Sequence, residues 1–331
     1  MQPYDAVLVV SFGGPEGKGD VLPFLENVLC GRNVPRERML QVAKHYEMFG
    51  GVSPINGQNR QLIANLKVEL ALHGPNLPVY WGNRNWHPFL SDTVAQMASE
   101  GVKRALAFVT SAYSSYSSCR QYIEDIVRAR TVAGDHAPAI DKLRVFYNHP
   151  LFIQANVENI NAAFEQLPEL QRSRAVLIFT AHSIPQSMAD SCEYEAQLKE
   201  ASGLIASELG KDRGALVYQS RSGPQTQSWL GPDINDYLQQ LSSTGPTDVV
   251  IAPIGFVSDH MEIIYDLDTQ ARRQCEKVGL KMVRASTVGT HPLFINMIRE
   301  LILERIDSSV SRRSSGNRGP GRDFCATECC R

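Results

Sequence analysis

Asp259, Glu262 and Asp266 stand at i, i+3 and i+7, so a helix would set three carboxylates on one face. His260 lies beside them, at the end of the preceding strand. Glu262 and Asp266 are like charges one turn apart, which costs a helix roughly a few tenths of a kcal/mol. A bound cation would relieve that repulsion, although a solvated acidic helix face has the same pattern. His182, in Thr-Ala-His-Ser-Ile-Pro at 180–185, carries the side chain best suited to move a proton near neutral pH. A lone histidine more often serves structure, although a place at a strand end favours function. Cys325, Cys329 and Cys330 place three cysteines in six residues, and thiolates hold iron–sulfur clusters or zinc. No CxxC spacing accompanies them, and a tail of free thiols fits the same residues.

These groups need a scaffold. Residues 249–257 are apolar and β-branched and predict a buried strand. Ser258 or Asp259 would then cap the helix that carries the carboxylates. Residues 175–180 predict a second buried strand, which delivers His182 where the chain leaves the sheet, with Pro185 preventing continuation. In an open α/β sheet, ligands bind at those carboxyl ends. Residues 5–12 predict the first strand, ending at Gly13-Gly14-Pro15. Helices are predicted over 19–28, 36–49 and 58–72, the last with Ser53 as N-cap and Pro54 at its first position. A strand over 79–84 ends in polar groups, with Arg84 and His87 flanking Trp86, a loop that would hold a carboxylate beside an aromatic surface. A strand over 104–110 runs into Ser111–Cys119, where Tyr113, Tyr116 and the hydroxyls suit either a pocket wall or a serine-rich loop. After a helix over 152–166 and a strand over 215–219, Trp229 is available as a flat partner or for ordinary packing. The last apolar helix spans 292–305.

Two similar α/β halves, 1–150 and 151–305, would face each other across a cleft between their strand ends. Residues 306–331 are Ser/Arg/Gly-rich, linker-like and end in the cysteines. The 331-residue length suits two domains. The net charge of -2 gives no global field toward nucleic acid. Neither GxGxxG nor GxxxxGK[ST] occurs, so nucleotide binding is not indicated. No apolar run reaches membrane-spanning length, and the first residues carry no basic n-region, which places the expected location in the cytoplasm. Seven cysteines, an odd number without a framework, argue against structural disulfides.

SFGGP at 11–15, GGVSPIN at 50–56, GNRNWHP at 82–88, TSAYSSYS at 110–117, FTAHSIP at 179–185, QSRSGP at 219–224, WLGP at 229–232 and PIGFVSDHMEIIYDLD at 253–268 run in order along almost the whole chain. The chain resembles the ferrochelatases, which insert ferrous iron into a porphyrin. YEMFGGVSPINGQNR and SAYSSYSSCRQYIEDI are most similar to the actinobacterial type, whose substrate is coproporphyrin III.

The resemblance implies two Rossmann-like domains with parallel sheets, the chelatase fold, clamping the porphyrin between them. It implies His182 and Glu262 at the insertion site and Asp266 on an acidic route for the metal. Phe12, Ser53, Arg84, Tyr122 and Trp229 fall on positions that hold the macrocycle or its carboxylates. Phe12 replaces the Tyr or Met of relatives, so no axial phenolate is available. Cys119, Cys325, Cys329 and Cys330 match a [2Fe–2S] ligand set, although the adjacent pair Cys329-Cys330 departs from the usual spacing. Protoporphyrin IX is the alternative substrate, a chelatase of another metal such as cobalt the alternative enzyme, and a two-lobed haem or metal carrier the alternative class. The preceding and following enzymes of haem synthesis are the expected partners.

Overall fold

A computed structural model describes residues 3–31, 34–211, 214–224 and 226–324. The first half runs β1 (Ala6–Ser11), α1 (Val21–Leu29), α2 (Arg36–Glu47), α3 (Ile55–His73), β2 (Val79–Asn83), α4 (Leu90–Ser99), β3 (Arg104–Val109), α5 (Gln121–Ala133) and β4 (Ala139–Lys142). The second runs α6 (Pro150–Glu165), α7 (Glu169–Arg172), β5 (Val176–His182), α8 (Gln186–Asp190), α9 (Tyr194–Glu208), β6 (Ala215–Gln219), α10 (Ile234–Leu241), β7 (Asp248–Ala252), α11 (Met261–Ile264), α12 (Arg272–Val278), β8 (Lys281–Arg284) and α13 (Pro292–Ile306).

The strands form two four-stranded parallel sheets with one topology, β2-β1-β3-β4 and β6-β5-β7-β8. In each, strand order reverses between the first and third strands, and a crevice opens at their carboxyl ends. Ser11 and Val109 end the strands at the first such point, His182 and Ala252 those at the second. The repeat extends to detail. A π-helical turn follows β3 at Tyr116–Arg120, and another follows β7 at Asp266–Ala271; such turns often mark functional positions.

The halves share more than a fold. His-Pro-Leu-Phe-Ile occurs at both 149–153 and 291–295. In each copy the histidine caps a helix, its Nδ1 accepting the N–H of Leu151 or Leu293 at 3.3 Å, with proline at the start. The two helices are then exchanged. α6 follows the first sheet but packs on β7, β8 and α9, whereas α13 follows the second sheet but packs on α3; the two also pack on each other. One continuous core results, running from Val7, Val9 and Phe108 through Phe152 and Phe294 to Phe179, Val250 and Ala252. The outer sheet faces are covered separately, Leu8 and Val10 by α4 and α5, Val249 and Ile251 by α10 and α12. Parallel sheets need both faces covered, which is why these strands are apolar throughout. Helices α1 and α2 have a small core of their own around Phe24, Leu25 and Met39.

Residues 307–324 form no helix or strand, but they are pinned. Arg144 Nη2 donates to the Arg313 carbonyl (2.8 Å), Ser315 N–H to the Asn148 carbonyl (2.7 Å), and Asn148 Nδ2 to the Gly319 carbonyl (2.8 Å). Arg305 then pairs with Asp323 at 3.1 Å, and its guanidinium lies 5.1 Å from the Phe324 ring. Among the described residues, no helix is long and apolar enough to cross a membrane.

Three sequence expectations are corrected. The strand expected over 249–257 ends at Ala252, because Pro253 supplies no N–H for a further ladder bond. Helix α3 starts at Ile55, before the expected 58, and its cap residue is Pro54; Ser53 makes no capping bond. His260, rather than Ser258 or Asp259, caps α11, its Nδ1 accepting the Glu262 N–H at 3.3 Å.

Candidate active site

The second switch point gathers the polar groups. His182 is the last residue of β5, in register with Gln219 of β6. Its Nδ1–H donates to the Ser183 carbonyl, which turns Nε2 toward Glu262, 3.5 Å from Oε1. The loop after β7 reaches this pair by passing directly over β5. Gly255 N–H bonds the Thr180 carbonyl at 3.0 Å, and a Cβ on Gly255 would stand 2.5 Å from the Ala181 Cβ. Only glycine permits that approach. Gln219 Nε2 donates to the Glu262 carbonyl at 2.7 Å and ties the start of the acidic segment to β6. The next residue, Ser220, has φ 63° and is the one non-glycine residue with positive φ among those described. This left-handed backbone is a local strain that the surroundings must impose, and with it Ser220 Oγ donates to Asp266.

The three expected carboxylates do not share a face. Helix α11 is only four residues long, and the wider π turn that begins at Asp266 breaks the i, i+3, i+7 spacing. Asp259 faces Arg284 (Nη2 to Oδ2, 3.2 Å), while Glu262 faces His182 and, at 3.8 Å, His260. Glu262 and Asp266 remain electrostatically coupled through the cleft.

The charges follow. Burial works against an imidazolium at His182, but the Glu262 carboxylate, with help from Ser183 and Asp266, outweighs it and holds the group up to about 9. Burial also opposes the Glu262 carboxylate, and His182 outweighs it, bringing Glu262 down to about 2. Asp266 is pushed up to about 7, by burial first and by Glu262 as well, against the Ser220 hydrogen bond. Burial lowers His260, against the pull of Glu262. The His182 and Glu262 side chains are 32% and 45% exposed, so both open onto the cleft and water reaches them.

The first half supplies the facing wall. Phe12 follows β1 and stacks edge-on to Phe24 at 6.2 Å, and Phe24 lies 5.8 Å from Tyr46 of α2. Burial raises the Tyr46 phenol, and the Glu262 charge adds to the effect. Its neighbour His45 stacks on Tyr265 across the cleft. Neither residue was given a site role: Tyr46 opens the YEMFGGVSPINGQNR stretch, no local motif marks His45, and only the fold brings α2 to the acidic segment.

The remaining expected residues fall as follows. Arg84 lies 5.8 Å from the Phe12 ring and 4.5 Å from the buried Tyr122 ring. Its side chain is 8% exposed and paired with Asp125, so the carboxylate expected beside this loop comes from the protein itself. Ser53 is buried against Gly14, where a Cβ would stand 2.7 Å from its own. Trp229 bridges the backbone at Pro185, beside the His182 loop, and its indole covers Gly223; Nε1 is buried without a hydrogen-bond partner. Tyr113 is no pocket wall: it is core, its OH donating to the Ile254 carbonyl at 3.0 Å and so bonding one half to the other. Cys119 is buried in the first π turn. Cys325, Cys329 and Cys330 lie outside the described residues. No group of three metal-binding side chains converges among the described residues.

The profile of the ferrochelatase family matches residues 4–306. The chain is 52% identical over 331 residues to a protein of Rhodopirellula baltica named ferrochelatase, an alignment covering 100% of this chain and 94% of that one. It is 49% identical over 338 residues to the coproporphyrin III ferrochelatase of Nocardia farcinica, covering 98% and 96%. Among solved structures, SirB from Bacillus subtilis superposes with a TM-score of 0.57 at 12% identity, covering 93% of this chain and 98% of that one. CbiX, described as the terminal enzyme of sirohaem biosynthesis in denitrifying bacteria, superposes with a TM-score of 0.52 at 13% identity, covering 91% and 100%. At those identities the structural likeness is one of fold.

Proposed function

Because the chain belongs to the ferrochelatase family and is a porphyrin-metallating enzyme of haem biosynthesis, we propose that it inserts Fe²⁺ into coproporphyrin III at His182 and Glu262. The observation that carries the site is the His182 Nε2–Glu262 Oε1 pair, 3.5 Å apart at the switch point of the second sheet. The porphyrin is that named for the Nocardia farcinica relative.

Insertion exchanges two pyrrole N–H protons for one Fe²⁺, so the site must bring a cation in and take protons out. Without iron, Glu262 holds His182 protonated at neutral pH. Fe²⁺ on the Glu262 carboxylate would neutralise the charge that sustains the imidazolium. Burial then dominates, His182 loses its proton to water, and its Nε2 becomes a base for a pyrrole N–H. Metal arrival would thus arm the base, and one nitrogen serves in sequence. Asp266, held near 7, can take up and release a proton at working pH. Clamping the ring between Phe12 on one side and the His182 loop with Trp229 on the other would bend it and turn its nitrogen lone pairs outward, using binding energy remote from the metal. Ser53, Arg84 and Tyr122 would support the wall on which the macrocycle rests.

We also propose that Cys119, Cys325, Cys329 and Cys330 hold a [2Fe–2S] cluster. Four thiols are the donor set such a cluster takes. The described segment ends at Phe324 against Arg305, which joins Asp323 to Asp141 in the first half, and the three further cysteines follow within the next six residues. Acid-labile sulfide in anaerobically purified protein and an electron paramagnetic resonance signal after reduction with dithionite, both lost in Cys119→Ser, test it. A cytoplasmic enzyme handing its product to the next haem-pathway enzyme fits this assignment.

The deciding experiment is anaerobic Fe²⁺ insertion with coproporphyrin III and protoporphyrin IX side by side. Multiple turnovers with coproporphyrin III alone support the proposal. Preference for protoporphyrin IX replaces the substrate, and a single product per chain replaces the enzyme with a carrier.

A further inference from the structure

Four carboxylates crowd into ten residues, Asp259, Glu262, Asp266 and Asp268, yet they are not equivalent. Asp259 and Asp268, at the two ends of the segment, converge on one guanidinium. Arg284, the last residue of β8, donates to Asp268 from Nε (2.7 Å) and Nη2 (2.9 Å), to Asp259 from Nη1 (3.3 Å) and Nη2 (3.2 Å), and to the Ala285 carbonyl from Nη1 (3.3 Å). All five N–H groups of the side chain are thereby engaged. The Thr287 hydroxyl adds a bond to Asp259 at 3.1 Å, and the Asp259 N–H reaches Gln58 of α3 in the other half at 2.8 Å. The Arg284, Asp259 and Asp268 side chains are only 15%, 19% and 28% exposed, so the pairs are shielded from salt.

We infer that Arg284 is a positioning residue that sorts these carboxylates, closing the ends of the segment on itself and leaving Glu262 and Asp266 as the pair open to the metal. The inference rests on the proposed metal role of Glu262 and Asp266. Without the fork, Asp259 and Asp268 would be two uncompensated carboxylates flanking Glu262 and Asp266 in the chain, offering iron oxygen ligands that compete with the insertion site. A lysine could not replace the fork, because one ammonium cannot meet two carboxylates in bidentate fashion.

The test compares three variants of the full chain in binding Zn²⁺ alone, followed with a competing dye, and in anaerobic Fe²⁺ insertion. Arg284→Met should bind Zn²⁺ about tenfold tighter, as two freed charges at short range require, with kcat reduced about tenfold and porphyrin affinity unchanged. The triple variant Asp259→Asn/Asp268→Asn/Arg284→Met, without any of the three charges, should return both quantities to within about threefold of wild type. Asp259→Asn/Asp268→Asn, which leaves the cation uncompensated, should bind Zn²⁺ more weakly than wild type and decides the sign of the effect even if Arg284→Met does not fold. Unchanged Zn²⁺ affinity in the folded variants, or a triple variant as inactive as Arg284→Met, would overturn the inference in favour of a purely structural arginine. Absence of insertion by the wild-type protein would remove the proposed function, while the Zn²⁺ series would still decide whether Arg284 sorts the carboxylates.

Discussion

His45 of α2 and Tyr265 at the start of the second π turn stack face to face, ring centroids 3.7 Å apart and planes 12° from parallel. The contact joins the small helical lobe of the first half to the segment that carries Glu262 and Asp266. Burial and Arg38 hold His45 below the ordinary imidazole value, so a neutral ring makes the stack. Aromatic pairs contribute about 0.5–1.5 kcal/mol beyond area. His45→Ala should therefore speed porphyrin dissociation about 3- to 10-fold in stopped-flow fluorescence, with His45→Phe close to wild type. Equal dissociation rates in all three proteins would show that the stack does not hold the cleft closed.

The proposed catalytic pair has a measurable signature. His182 should titrate near 9 in the iron-free protein, by NMR of the labelled imidazole. Its raised value adds stability that is full below about 6.5 and is lost as pH rises through about 9, whereas that of Glu262 is full above its ordinary carboxylate range and is lost as pH falls through about 2. In Glu262→Gln the supporting charge is gone, burial prevails, and the histidine should titrate below its ordinary value.

Chemistry and binding should separate at the same residues. His182→Ala and Glu262→Gln should lose Fe²⁺ insertion by about a hundredfold or more while porphyrin binding, read by fluorescence quenching, persists. Near wild-type turnover in both would remove them from the mechanism.

Ser220 offers a test of the strained loop. Its hydroxyl is the hydrogen bond that works against burial at Asp266. Ser220→Ala removes the donor, so Asp266 should titrate above about 7 and the acidic limb of the pH–rate profile should move to higher pH. Ser220→Gly loses the same donor but relieves the left-handed backbone, so it should shift the profile equally and be more stable than Ser220→Ala.

The pinned C-terminal segment rests on a buried ion pair. Arg144 and Glu304 side chains are 1% and 3% exposed and meet through bonds of 2.7 and 2.9 Å. Glu304→Ala would leave the guanidinium without its counter-ion, and chemical denaturation should show a loss of about 3–5 kcal/mol.

Much of the fold was legible because the strands are buried on both faces, so unbroken β-branched runs announce them and their polar carboxyl ends announce the clefts. The edge strands β4 and β8 were not, since Ala-Ile-Asp-Lys and Lys-Met-Val-Arg at 139–142 and 281–284 mix polar with apolar residues as edges do. His182, Glu262 and Asp266 stood out by residue type near strand ends, their roles were implied by the resemblance alone, and the structure brings His182 and Glu262 within 3.5 Å. The partner of Asp259 was not legible, because Arg284 lies 25 residues away and only β8 pairing beside β7 brings it in. The contact of α2 with Tyr265 was invisible for the same reason. The repeated His-Pro-Leu-Phe-Ile was a readable signal, and it marks the two helices that change places.

That exchange bears on how such a molecule can be divided. A chain of half this length, ending after its own His-Pro-Leu-Phe-Ile helix, would carry a complete sheet but leave part of its inner face bare, because α3 or α9 of the same half covers that face only in part and a helix of the other copy covers the rest. Two such chains trading their last helices would restore everything the fused protein buries. Cutting the present chain after α6 should therefore give fragments that each lack one covering helix and are more soluble when produced together than apart.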